Sequence, residues 1–106
     1  MKYEIREYIN EVDKNLFRNW FFNLDARAAA KITTAIARLE NGNTSNVKSV
    51  GGGVHEYKIN FGPGYRICFA FDGNTIIILL AGGTKKHQSK DIETAKTRWA
   101  DYKAGK

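Results

Sequence analysis

The sequence predicts an α+β fold: an N-terminal strand, a helical hairpin, a three-stranded antiparallel meander that completes a four-stranded sheet, and a C-terminal helix. Three observations carry this reading. Residues 54–61, 65–71 and 75–81 are rich in aromatic and β-branched side chains, and Gly62-Pro63-Gly64 and Asp72-Gly73-Asn74 separate them where a reversal needs permissive or preset dihedrals. Elsewhere the apolar period lengthens to helical spacing, between residues 11 and 39 and again from Ile92 to Tyr102. The 106 residues suit one compact domain, residues 1–106, long enough to bury a core.

Residues 3–9 alternate Tyr3 and Ile5 with Glu4 and Arg6 and read as a first strand, which would protect an edge of the meander. From about Glu11, Val12, Leu16, Trp20 and Leu24 recur every four residues, with Phe17 and Phe21 in the same stripe of an amphipathic helix. Asp25 can cap a second helix, whose Ala28, Ile32, Ala35, Ile36 and Leu39 face the core and which Gly42 ends. The aromatic stripe Phe17, Trp20, Phe21 and Phe22 could stack on bases, but its helical spacing assigns it to packing. Residues 41–53 read as a polar, glycine-rich connection, since Gly51, Gly52 and Gly53 lack the spacing of a phosphate-binding loop. Residues 75–81 form a nearly continuous apolar run, as in a strand buried on both faces. Gly82-Gly83 then ends that strand, and residues 84–91 lead into a helix carrying Ile92, Ala95, Trp99 and Tyr102.

Parity in the first hairpin decides what shares a face. With residues 62–64 as the loop, Phe61 pairs with Tyr65 and Asn60 lies opposite Arg66. One face then holds Tyr57, Ile59, Phe61, Tyr65, Ile67, Phe69 and Phe71; the other holds Glu56, Lys58, Asn60, Arg66, Cys68 and Ala70. Lys58 and Arg66 become diagonal neighbours on a polar face.

Seventeen Lys and Arg against eleven Asp and Glu give a net charge of +6 and favour an anionic partner. The single cysteine, Cys68, excludes an internal disulfide and a Cys-rich metal site and fits a reducing compartment. No run approaches the roughly 20 apolar residues of a membrane span, and the amino terminus lacks a signal-type core, so a cytoplasmic location without membrane contact is expected.

If the helices cover the aromatic face, Lys58 and Arg66 stay open on the other, and the segment after the last strand brings Lys85, Lys86, His87 and Gln88 near them. Such a groove suits RNA cleavage, in which the 2′-hydroxyl of the substrate is the nucleophile. The protein need only orient the strand, move protons and stabilise a phosphorane more negative than the diester. Arginine forks and crowded lysines serve these ends, and His87 is a candidate acid or base. Glu56 can orient Lys58 or Arg66. For Lys58 and Arg66 the structural alternative is a solvated sheet face, and for His87 an exposed loop. With two histidines and no acidic cluster, neither a metal nor another cofactor is expected.

The stretches GVHEYKINFGPGYRICF and IIILLAGGTKKHQSKDIETA resemble the RelE/ParE superfamily of toxin-antitoxin toxins, in particular its HigB-like, phage Gp49-like addiction module killer branch. The resemblance runs from the helical hairpin to the end of the chain. It implies the order β-α-α-β-β-β-α and a metal-independent ribonuclease that cuts messenger RNA at the ribosome. It also implies restraint by a cognate antitoxin, expected to be a helix-turn-helix DNA-binding protein. By that resemblance Arg66 is the arginine of the GYR motif and holds the scissile phosphate, Lys58 is the basic strand residue, and Lys85 and Lys86 contact phosphate. Gln88 and Asp91 match a QxxDI motif, and Asn60, Gln88 and Lys90 complete the RNA-binding set. The chain departs from the pattern at Lys58, where arginine is common, at Thr84, where aspartate is usual, and at His87, where a small polar residue is usual. A lysine at position 58 offers a point charge rather than a fork. The competing readings are a ParE-like inhibitor that blocks DNA gyrase without cleavage and an inactive module that binds RNA or antitoxin.

Overall fold

The computed structural model describes residues 2–105 as an α+β layer structure. In chain order the elements are β1 (Glu4–Glu7), α1 (Leu16–Phe22), α2 (Ala26–Glu40), β2 (Val47–Gly51), β3 (Val54–Ile59), β4 (Tyr65–Asp72), β5 (Ile76–Thr84), a 3₁₀ turn (Lys85–His87) and α3 (Gln88–Ala104). The sheet has five strands in the order β1-β5-β4-β3-β2. It is mixed: β1 runs parallel to β5, and the other pairs are antiparallel.

The expected four-stranded sheet is therefore corrected to five. The additional strand, β2, lies in the stretch read as a connection. It is an edge strand with Lys48 and Ser49 exposed, so its apolar signal reduces to Val47 and Val50. Its last residue, Gly51, and the two glycines that follow form a tight hairpin turn. Gly51, Gly52 and Gly53 all take positive φ, at 92°, 63° and 82°. A side chain at Gly53 would stand 2.7 Å from Trp99 Nε1.

The first helix is also shorter than its periodicity suggests. Asn10 Oδ1 accepts hydrogen bonds from the Val12 and Lys14 amides, holding a loop in which Asp13 takes φ 60°. The helix starts only at its cap, Asn15, whose side chain accepts from the Arg18 amide. Val12 is thus 65% exposed rather than part of the stripe, and Phe22, at 70%, faces outward beneath Arg18. The second helix starts as expected, with Asp25 Oδ1 accepting from the Ala28 amide.

Two cores lie on opposite sides of the sheet. On one side Phe17, Ala28, Ile32, Ala35 and Leu39 of α1 and α2 meet Tyr57, Ile59, Tyr65, Ile67, Phe69, Ile77 and Leu79. On the other, Ala95 and Trp99 of α3 cover Val54, Cys68, Ala70, Ile78, Leu80 and Ala81, joined by Tyr8. The second face is therefore roofed over much of its area. Gly82 and Gly83 belong to β5 instead of ending it, and each admits a neighbour: an added Cβ would meet the Trp20 ring at 2.3 Å from Gly82 and Asp91 Oδ2 at 1.9 Å from Gly83. Leu80 falls where the β4–β5 register shifts, and its carbonyl accepts from Arg98 Nη1 at 2.6 Å.

Candidate functional site

The hairpin that carries the candidate residues has a longer loop than expected. Ile59 pairs with Tyr65 and Lys58 with Arg66, so residues 60–64 form the turn, correcting the Phe61–Tyr65 pairing. Local bonds shape it, from the Phe61 amide to the Ile59 carbonyl and from the Gly64 amide to the Phe61 carbonyl. Gly62 and Gly64 supply φ values of 54° and 80° that other residues resist. Three and five are both odd, so the division of side chains between faces is unchanged while the pairing moves. Lys58 and Arg66 become direct cross-strand partners.

Their surroundings differ. Lys58 and Asn60 are exposed, whereas Arg66 is only 6% exposed and Glu56 1%. The expectation of an open arginine is corrected, because the first turn of α3 and the segment before it close over it. The Lys85 amide donates to the Gly64 carbonyl at 2.8 Å, and Gln88 Nε2 donates to Glu56 Oε2 and Oε1 at 2.9 and 3.2 Å. Arg66 Nε lies 3.3 Å from Glu56 Oε2, yet it is not aligned for a hydrogen bond, so the contact is an ion pair alone. Among the described residues the guanidinium makes one hydrogen bond, from Nη1 to the Gly64 carbonyl at 3.4 Å. A fork with five N–H donors is thus held in place but largely unfilled.

Lys85, Lys86, His87 and Lys90 are exposed, the first three on the 3₁₀ turn and Lys90 in the first turn of α3. His87 makes no side-chain capping bond to α3. Burial raises the Asp91 carboxyl above the usual carboxylate range, against smaller opposing contributions from the neighbouring His87, Arg98 and Lys90. His55 lies apart from the group on the other face, stacked on Phe69, and burial lowers its pKa. Cys68, two residues beyond Arg66, is inert as a nucleophile: burial, with smaller contributions from the Glu56 and Asp91 charges, pushes its thiol up to about 12.

The fold thus brings Lys58, Arg66, Glu56 and Gln88 together, and exposed Lys85, Lys86 and His87 form the turn that leads into Gln88. Two features escape the sequence pattern. The fit of Asp91 against Gly83 depends on helix placement, and Arg98 answers a strand irregularity that no spacing signals.

Comparison with known proteins bears on these residues. The family described as Phage derived protein Gp49-like (DUF891) matches residues 19–100. An uncharacterized protein of Haemophilus influenzae is 43% identical over 81 residues, which make up 76% of this chain and 82% of that protein.

Proposed function

Because the chain belongs to the Gp49-like family of phage-derived proteins, an addiction-module toxin-like family, we propose that it is the toxin of a toxin-antitoxin pair and acts as a messenger RNA endoribonuclease. One observation carries the cleavage reading: Lys58 and Arg66 are direct cross-strand partners on one face, and among the described residues the Arg66 guanidinium makes a single hydrogen bond, to the Gly64 carbonyl, with Nε left without an acceptor. That is the chemistry of a site for a non-bridging phosphate oxygen.

In this reading the diester settles on Lys58, Lys85 and Lys86, with the Arg66 guanidinium beneath it. A base takes the 2′-hydroxyl proton, the 2′-oxygen attacks phosphorus, and the 5′-oxygen leaves with a proton from an acid. A 2′,3′-cyclic phosphate and a 5′-hydroxyl result. Lys58 and His87 are the candidate proton carriers, and the cations stabilise the additional negative charge of the phosphorane. Membership in the RelE/ParE superfamily, action at the ribosome and a helix-turn-helix antitoxin belong to this proposal.

Lys58→Ala is the cleanest substitution, because this side chain is exposed and its loss leaves no buried partner. Cleavage is expected to fall by on the order of 10² to 10³ with the fold unchanged. Unchanged turnover would refute the role. A 2′-deoxy nucleotide at the scissile position should abolish cleavage, and cutting of that substrate would exclude the 2′-hydroxyl as nucleophile. The near burial of Arg66 favours one competing reading, a ParE-like gyrase inhibitor that binds without cutting. In cells it would produce a DNA-damage response with intact messages.

A further inference from the structure

A second basic feature lies around the edge of the sheet. A groove of about 550 Å³ runs between α2 and the β2–β3 edge, with Lys31 and Arg38 on one wall and Lys48, Lys58 and Asn60 on the other. Lys31 and Arg38 are seven residues apart on α2, so two helical turns, about 10 Å, separate them on one face. The one acidic residue in the lining, Glu56, is buried and engaged by Arg66 and Gln88. None of the four cations is among the residues that form side-chain ion pairs in the described structure. Lys31 Nζ also stands 5.4 Å from the centre of the Phe61 ring. Four cations free of ion pairs among the described residues exceed what a single small anion requires and suit an extended polyanion.

The groove is continuous with the candidate site. Pairing of β2 with β3 ends at Val47–Tyr57, so Lys58 and Ile59 have no strand neighbour on that side. Lys58 therefore belongs to both places, as a cross-strand partner of Arg66 and as lining of the groove. An acidic protein strand is the less favoured occupant, because the unpaired stretch of β3 beyond Val47–Tyr57 is only Lys58 and Ile59, too short an edge for a strand to extend.

We propose that this groove is the track of the single-stranded RNA flanking the cleaved bond, with Lys31, Arg38 and Lys48 contacting successive backbone phosphates. The inference rests on the endoribonuclease reading but has its own test. A fluorescent 2′-O-methyl oligoribonucleotide, which cannot be cut, is titrated against the wild type and the variant Lys31→Gln/Arg38→Gln/Lys48→Gln over a range of salt concentrations. Removing three contacts to a single strand should flatten the slope of log K against log[salt] by about 2 and weaken binding at 0.1 M salt by on the order of 10². All three side chains are exposed, so an unchanged unfolding midpoint is expected. An unchanged slope while the wild type still cuts messages in cells overturns the track and leaves the cleavage reading standing. A wild type that neither binds the oligonucleotide nor cuts messages when induced in cells overturns both. A variant that keeps the RNA slope but escapes neutralisation by its antitoxin overturns the track and assigns the groove to an acidic protein partner.

Discussion

Arg66 shows why a polar strand face need not be a solvated one. Its head is buried beside Glu56, and each charge is tolerable only because the other is present. Arg66→Ala should therefore cost about 3–5 kcal/mol of stability, read from urea unfolding, because Glu56 is left buried with Gln88 as its hydrogen-bond partner. Arg66→Lys keeps the charge but loses the fork and should retain more stability while cutting RNA poorly. Equal stability for wild type and Arg66→Ala would contradict the pairing. His55 gives a pH signature. Burial lowers its pKa in the folded state, so as pH falls below about 6.5 the unfolded chain takes up the proton first. Its contribution to stability is complete above that pH and is lost as pH falls. Wild type should have a lower unfolding free energy at pH 5 than at pH 7.5, and His55→Gln should show a smaller difference; identical pH dependence would exclude His55 as the source.

The elements were unequally legible. The cap of α2 at Asp25 and the buried run in β5 could be read because side-chain type and spacing alone specify them. Strand β2 could not, since an exposed edge needs few apolar residues and its partner β3 lies only across a turn. The start of α1 departs from the apolar period because Val12 keeps that period while the Asn10 side chain diverts the backbone into a loop. The candidate site was legible as a set of residues on one face, through strand parity. The burial of Arg66 was not, because it depends on where α3 begins and on the bond from Gln88 to Glu56. The paired glycines of β5 show the same limit. They look like a strand terminator but make room for Trp20 on one face and Asp91 on the other. Gly82→Ala should lower stability by about 1–3 kcal/mol, measured by urea unfolding, because the packed Trp20 ring must shift. A stability equal to wild type would show that α1 yields readily there.

At the scale of the molecule, two helices close one face of the sheet and one closes most of the other. Of the exposed cations, Lys58, Lys85 and Lys86 stand where β3 nears the 3₁₀ turn and Lys31, Arg38 and Lys48 line the α2 groove, while Lys2, Arg6, Lys14, Arg18, Arg27 and Lys103 are exposed outside both. Part of the net charge of +6 is thus concentrated on adjoining surfaces. Under the proposed function an antitoxin that covers this region would restrain the protein by occupying the proposed RNA surface, and raising salt should weaken RNA binding in proportion to the phosphates contacted. The most direct test is to induce the protein and its Lys58→Ala variant in cells and map messenger 5′ ends. The wild type is predicted to generate new 5′-hydroxyl ends within coding regions, and the variant to leave the messages whole. Intact messages with wild type, or the same cuts with both proteins, would contradict the assignment of RNA cleavage to this cationic site.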